Sequence, residues 1–247
     1  MMADWERKPP FIPIPKEILA KFEEQTAILS QQGITREAFQ EAARKKIAEK
    51  GISFVLAVYQ AFDEFLEQEI KISGVTLACK KGCSQCCDTL IISTEMEIDE
   101  VIRFVNNIPR AVRIPLIRRA LSFAREWRDY TKNQFVPEID PFKSFKDWKG
   151  RPCPFLNEDD GSCSIYPVRI MDCRRLTSLT PCTADMKTLI PCDLHHQGPG
   201  HYRFQCEIWA TNMILEEQGG KFRLPDPRLS PVTPVHHWLW IKEREFG

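Results

Sequence analysis

Nine consecutive residues, Cys-Lys-Lys-Gly-Cys-Ser-Gln-Cys-Cys, place four thiols at Cys79, Cys83, Cys86 and Cys87. In a reducing compartment a cluster of this density points to metal or redox chemistry. Cys83-Ser-Gln-Cys86 has the C-x2-C separation across which a tight turn aims two sulfurs at one ion, while N–H groups of the turn hydrogen-bond the thiolates. Gly82, just before it, supplies the backbone freedom such a turn needs. Cys86 and Cys87 are adjacent, so on an extended chain their side chains would point to opposite sides. They therefore sit in a turn or serve different sites.

The second half adds Cys153, Cys163 and Cys173, each ten positions apart, and then Cys182, Cys192 and Cys206. Zinc takes four ligands in a tetrahedron, and cubane iron–sulfur clusters also take four thiolates. The seven cysteines from 79 to 173 exceed one such site. Either some thiols are left over, or a second site recruits Cys182, Cys192 or His195, which stands at C-x2-H spacing from Cys192. Cys206 falls on an apolar helical stretch with Phe204 and Trp209 and reads as a buried small hydrophobe. Four thiolates around a divalent ion carry about −2 of net charge, which burial penalises unless cations or N–H donors compensate. Arg169 and Arg174 bracket Cys173 and are the candidates for that role. Glu95 reads as a favourable charge in the first turn of a helix.

Read in order, CKKGCSQCC, Glu95, CPFL from Cys153, GSCSIYPVR from Gly161, and Cys173-Arg174 resemble the CxxCxxCC zinc- or iron-chelating family, the YkgJ-like cysteine-cluster proteins. The resemblance covers residues 79 to 175. It implies that Cys79, Cys83, Cys86, Cys87, Cys153, Cys163 and Cys173 form the chelating set, with zinc or an iron–sulfur cluster as cofactor. Ile170 stands where the family pattern has proline, which removes no ligand.

Other chemistries have less support. Cys79-x3-Cys83-x2-Cys86 coincides with the spacing of radical SAM enzymes, but no alternation of strands and helices follows residue 87. A hydrolytic zinc enzyme would need His or carboxylate ligands with an open position, and no H-E-x-x-H spacing occurs. His236 and His237, near the tail, take a surface or packing role by default. There is no GxGxxG and no GxxxxGK[ST], so nucleotide cofactors are unsupported. Lys plus Arg and Asp plus Glu both number 34, a balance that signals neither a nucleic-acid partner nor an acidic membrane surface. With no apolar leader and no uncharged run near the ~18 residues of a membrane span, a cytoplasmic location is expected. Two function classes remain: a thiolate metal-binding protein whose partner is the metal ion, and an iron–sulfur oxidoreductase that exchanges electrons with a redox partner protein. A cluster-dependent protein-modifying enzyme comes third.

The elements that must carry these cysteines read as helical. Val55, Val58, Tyr59, Phe62 and Leu66 recur at helical spacing, with Asp63, Glu64, Glu67 and Gln68 opposite. Thr94 and Glu97 fit a capping box ahead of Ile98, Val101, Ile102 and Val105, so a helix should run from Thr94 to the Asn106–Pro109 turn. A third helix is expected to start at Pro115, the first-position residue, with Ile117, Ala120, Leu121, Ala124 and Trp127 inward. A last one spans 202 to 218 and stops at Gly219-Gly220. Between 135 and 200, eight prolines forbid long helices. The expected architecture is mainly α, a helical body with an irregular proline- and cysteine-rich metal-binding segment and little β. Its units are an N-terminal helical region (1–70), a cysteine-cluster domain (71–210) and a packed tail (211–247). The two cysteine groups should converge on one metal region.

Overall fold

The computed structural model describes residues 16–80, 82–84, 87, 90–132, 148, 151–157, 159–178, 205–221 and 233–246, with the side chains of 16–22, 219–221 and 233–234 outside that description. Cys86, Cys182, Cys192 and His195 lie outside the described residues. The fold is mainly α, and the β-structure among the described residues is a two-stranded antiparallel ribbon with isolated bridges at Leu156–Cys163 and at Ser178.

Helices α1 (Lys16–Gln31), α2 (Arg36–Lys50) and α3 (Phe54–Ser73) follow one another with short turns. Thr35 and Ser53 cap α2 and α3 by accepting the N–H groups of Ala38 and Leu56, and Gly51 and Gly74 close the two helices in the left-handed conformation. Caps contribute about 1 kcal/mol each, whereas a fully buried large apolar side chain contributes about 1.5–3. The α3 stripe of Val55, Val58, Tyr59, Phe62 and Phe65 therefore dominates its stability. It packs against Phe39 and Ala43 of α2 and against Cys206, Trp209, Ala210 and Met213 of α7 (Gln205–Lys221). Phe39, Phe65 and Trp209 meet at centroid distances of 5.2–6.3 Å. Helix α7 continues through Gly219–Gly220 to Lys221 instead of stopping at them. Glycine weakens a helix by about 1 kcal/mol without forbidding it, and a C-cap requires a left-handed residue that this helix does not place there.

A second apolar cluster lies between α4 (Glu95–Asn107), α5 (Arg110–Thr131) and the C-terminal α8 (Val235–Ile241). The capping box forms: the Thr94 hydroxyl accepts the Glu97 N–H while the Glu97 carboxylate accepts the Thr94 N–H. Helix α5 starts at Arg110 behind Pro109, so Pro115 stands inside it and not at its first position. The apolar stripe from Leu116 to Trp127 holds the helix although Pro115 cannot donate to the carbonyl of Ala111. Strands β1 (Ile92–Ser93) and β2 (Thr233–Pro234) pair antiparallel, and β2 runs straight into α8. The HHWLW stretch is thus a helix whose Trp238 and Leu239 are fully buried. Phe155, Ile165, Val168 and Ile170, from the cysteine-bearing segment, complete this cluster.

Candidate metal centre

Cys83, Cys87 and Cys173 are each placed by a local turn whose backbone donors find local acceptors. The Cys83 N–H donates to the Lys80 carbonyl at 3.0 Å, with Gly82 at φ 87°, and the Cys87 N–H donates to the Ser84 carbonyl at 2.9 Å. Cys83 and Cys87 are thus each held by a turn. The Cys153 N–H donates to the Cys87 carbonyl and straps the two cysteine segments together. From Phe155 to Ser164 the chain makes a tight hairpin: Ser164 donates to Phe155 at 2.9 Å, Asn157 to Ser162 at 2.8 Å, and Leu156 bridges Cys163. At its tip Gly161 takes φ 70°, and a Cβ there would stand 3.2 Å from the Gly82 carbonyl oxygen. Only glycine lets the hairpin tip rest on the Cys83 turn.

Cys173 sits in the one-turn helix α6 (Met171–Arg174). Ile170 precedes it at φ −60°, ψ 157°, within the φ range that a proline ring imposes, so the isoleucine there keeps the same backbone path. The Met171 N–H donates to Glu97 at 2.7 Å. Glu97 also accepts the Tyr59 hydroxyl at 2.8 Å and both the N–H and hydroxyl of Thr94, so one buried carboxylate joins α3, the start of α4 and the start of α6. Burial pushes its pKa above the ordinary carboxylate range, against those hydrogen bonds. Asp172 accepts the Ile92 N–H at 3.1 Å and pairs with Arg175, fixing α6 to β1.

Cys83, Cys87, Cys153, Cys163 and Cys173 line one cavity, together with Lys80, Arg169, Tyr166 and, from α8, Val235 and His236. Two stretches of chain, 82–87 and 151–178, thus bring five thiols to a common space. The sulfurs ring that space without closing on a point: among the described residues no three Cys, His, Asp or Glu side chains stand close enough to hold an ion as they are. The donor set itself, soft sulfurs with two cationic side chains nearby, has the chemistry of a thiophilic metal site.

Cys79 is not among the cavity-lining residues. Its Sγ accepts the Ser178 N–H at 3.2 Å, beside a backbone bond from Ala78 to the Ser178 carbonyl at 2.8 Å. Arg174 is not among them either. Its guanidinium grips both oxygens of Asp63 at 2.8 Å, donates to the carbonyls of Arg169 (2.5 Å) and Pro167 (3.0 Å), and lies 4.4 Å over the Tyr59 ring. It staples the chain around Cys173 to α3. Arg169 does face the cavity, its guanidinium 4.9 Å from the Tyr166 ring centroid and its Nε buried without a partner among the described residues. Glu95, in the first turn of α4, pairs with Lys242 at 2.9 Å.

Cys206 is fully buried, and burial beside the Glu69 carboxylate pushes its thiol well above the ordinary range. Glu69 accepts the N–H groups of Gln205 (2.8 Å) and Cys206 (2.7 Å), so a carboxylate from α3 caps α7. Sequence reasoning missed His236. It is buried among Phe123, Trp127 and Trp148, with ring centroids at 5.3–6.0 Å, and its Nε2 accepts the Trp148 indole N–H at 3.3 Å. Burial first, then the Arg151 charge, holds its pKa down at about 3. Nothing in its local sequence marks it, because it reaches the cavity only through the pairing of two strands 140 positions apart in the chain.

No curated protein and no solved structure matches the chain. Residues 78–193 match the family model CxxCxxCC, described as "Putative zinc- or iron-chelating domain". That segment holds the two cysteine turns, the hairpin and α6, and over it the chain is similar to the CxxCxxCC family.

Proposed function

We propose that this protein binds zinc or an iron–sulfur centre through thiolates of the shared cavity. The observation that carries the reading is the convergence of Cys83 and Cys87 with Cys153, Cys163 and Cys173, from two stretches far apart in the sequence, on one space. Cys86, adjacent to Cys87 in the sequence, is assigned to the same set. Cys79, at the mouth of that run, is the remaining member that the family pattern supplies. Binding would draw the sulfurs inward to about 2.3 Å from the metal, and the turns and hairpin that carry them are short enough to move as units. The bound group would cross-link segments that have little regular structure of their own. Lys80 and Arg169 would offset the negative charge of the thiolates.

Metal analysis and a visible spectrum of anaerobically purified protein test the reading. Colourless protein with stoichiometric zinc supports a structural or binding role. Brown protein with iron, sulfide and absorbance near 400 nm supports an iron–sulfur centre and turns the search toward an electron-transfer partner. Protein that holds neither metal, and takes up neither on reconstitution, would refute it.

A further inference from the structure

We propose that His236 donates its Nδ1–H to a cysteine sulfur of the cavity, so that α8, outside the matched segment, contributes to the metal centre. The inference rests on the metal-binding reading above. Indole N–H is a donor with no acceptor capacity, so the 3.3 Å contact from Trp148 Nε1 to His236 Nε2 requires a lone pair on Nε2. The ring hydrogen must then sit on Nδ1. That nitrogen is buried and has no hydrogen-bond partner among the described residues. A buried donor without an acceptor is costly, and thiolates that hold a metal seek N–H donors to spread their charge.

The position of the ring is over-determined. The Val235 N–H donates to the Ile91 carbonyl at 2.9 Å, and β2 pairs with β1, so the start of α8 is fixed to the chain just after Cys87. Val235, Ile91 and His236 all line the cavity that the five thiols share. Trp148 closes the far side of the ring, and the Arg151 guanidinium stacks on Trp148 at 4.3 Å. The same tautomer argument excludes His236 as a metal ligand. A nitrogen that carries hydrogen has no lone pair to give, and the other nitrogen is engaged by Trp148.

Cobalt(II) titration of the full chain tests this, because thiolate-to-cobalt charge-transfer bands report the electron density on sulfur and the d–d bands report the ligand atoms. Removing an N–H donor makes the thiolate easier to oxidise. His236→Phe should therefore shift the charge-transfer band to longer wavelength, leave the d–d bands in place and weaken cobalt affinity about 10–100-fold. His236→Asn, whose amide nitrogen overlays Nδ1, should restore the wild-type band. A merely structural role for the ring would not separate these two variants. Long-range 15N–1H spectra of histidine-labelled protein should show the Nδ1–H tautomer at His236. Unchanged charge-transfer bands and affinity in His236→Phe, the Nε2–H tautomer, or a displaced d–d band that signals nitrogen ligation would each overturn the inference alone. Failure of the wild-type chain to take up cobalt would overturn the metal-binding reading, and this inference with it.

Discussion

The helices α2, α3 and α7 and the cysteine-bearing stretches 82–87 and 151–178 are stabilised by different means. In the helical region, apolar stripes meet face to face and fully buried Phe39, Tyr59, Phe62 and Ile214 fill the space between them. The cysteine stretches are short of repeating apolar positions and are pinned by polar groups. Glu97 takes the N–H of Met171, Asp172 takes that of Ile92, Arg174 closes on two backbone carbonyls, and the Cys153 N–H reaches Cys87. Irregular backbone has more unpaired donors and acceptors than a helix, and each must find a partner when buried. The cavity is built where that polar scaffold, not a helix pair, sets the positions of the thiols.

Metal removal should separate the two regions most widely, since structural zinc sites supply about 10–16 kcal/mol of binding free energy that is also folding free energy. Chelation, Cys86→Ser or Cys163→Ser should abolish stoichiometric metal and raise amide exchange across 151–178, while exchange in α2 and α3 stays slow. Exchange followed by mass spectrometry together with metal analysis decides it; full metal and unchanged protection in both variants would mean that these thiols are not ligands. Cys206→Ser should leave metal content untouched. Its hydroxyl can donate to Glu69, so the cost should fall below the roughly 1–3 kcal/mol of an unpartnered buried hydroxyl.

Next in size are two substitutions that attack each scaffold by its own means. Glu97→Ala strands the Tyr59 hydroxyl, the Thr94 N–H and the Met171 N–H at about 1–3 kcal/mol per donor, for an expected loss of about 3–5 kcal/mol in urea unfolding. It should also lower metal affinity, because α6 carries Cys173. Phe39→Ala leaves a cavity against Phe65 and Trp209 at a similar cost of about 3–5 kcal/mol, with metal affinity in the folded protein unchanged. Equal effects of the two on metal affinity would dissolve the distinction between the regions.

How much of this was legible in the sequence follows the same division. Helix α4 could be bounded to a residue or so because its signals are contiguous: a capping box, then a stripe at helical spacing, then the Asn106–Pro109 turn. The cysteines announced themselves by density and order. The boundary at Pro115 misled because a favourable first-position residue is only a local preference, and the apolar residues beyond it stabilise a helix that begins a turn earlier. What could not be read was every contact made by a single polar side chain across long separations, such as Glu97 to Met171, Glu69 to α7, Arg174 to Asp63, and His236 to the cavity. Periodicity carries no record of such pairs. Arg174 shows the limit clearly: its place beside Cys173 suggested charge compensation, whereas its partners are Asp63 and two carbonyls.

Acid should act on the α8 side first. Burial holds His237 down at about 4 and His236 at about 3, both below the ordinary imidazole value of 6.5. The folded state then binds fewer protons than the unfolded one, so the stability these groups contribute is full above pH 6.5 and is lost as pH falls toward 4. Glu69 and Glu97, raised by burial, act in the opposite sense and recover stability as they protonate. Their gain falls between the ordinary value of 4.5 and their raised folded values, so it offsets part of the histidine loss in the window from about pH 6.5 down to 5. Removing His237 with Phe should flatten the fall of Tm in that window by an amount equivalent to roughly 2–3 kcal/mol, read by thermal melts across pH. A slope identical to wild type would show that His237 protonates freely in the folded protein.

The smallest expected effect comes from Pro115, which interrupts α5 on the side of the molecule held by apolar packing. Its ring removes one helical hydrogen bond, the one to the Ala111 carbonyl, and crowds the preceding turn. An interior proline costs about 3 kcal/mol relative to alanine in a helix, but Pro115 lies close to the N-terminus and its rigidity also restricts the unfolded chain. The two effects oppose each other. Pro115→Ala should therefore raise stability by only about 1 kcal/mol, visible as a higher urea midpoint at unchanged slope. Since no residue of α5 is among the described residues that line the cavity, metal content should not change. A loss of stability would mean that the proline positions the Leu116–Trp127 stripe against α8, and that the helical side of the molecule also relies on a backbone constraint as well as on apolar burial.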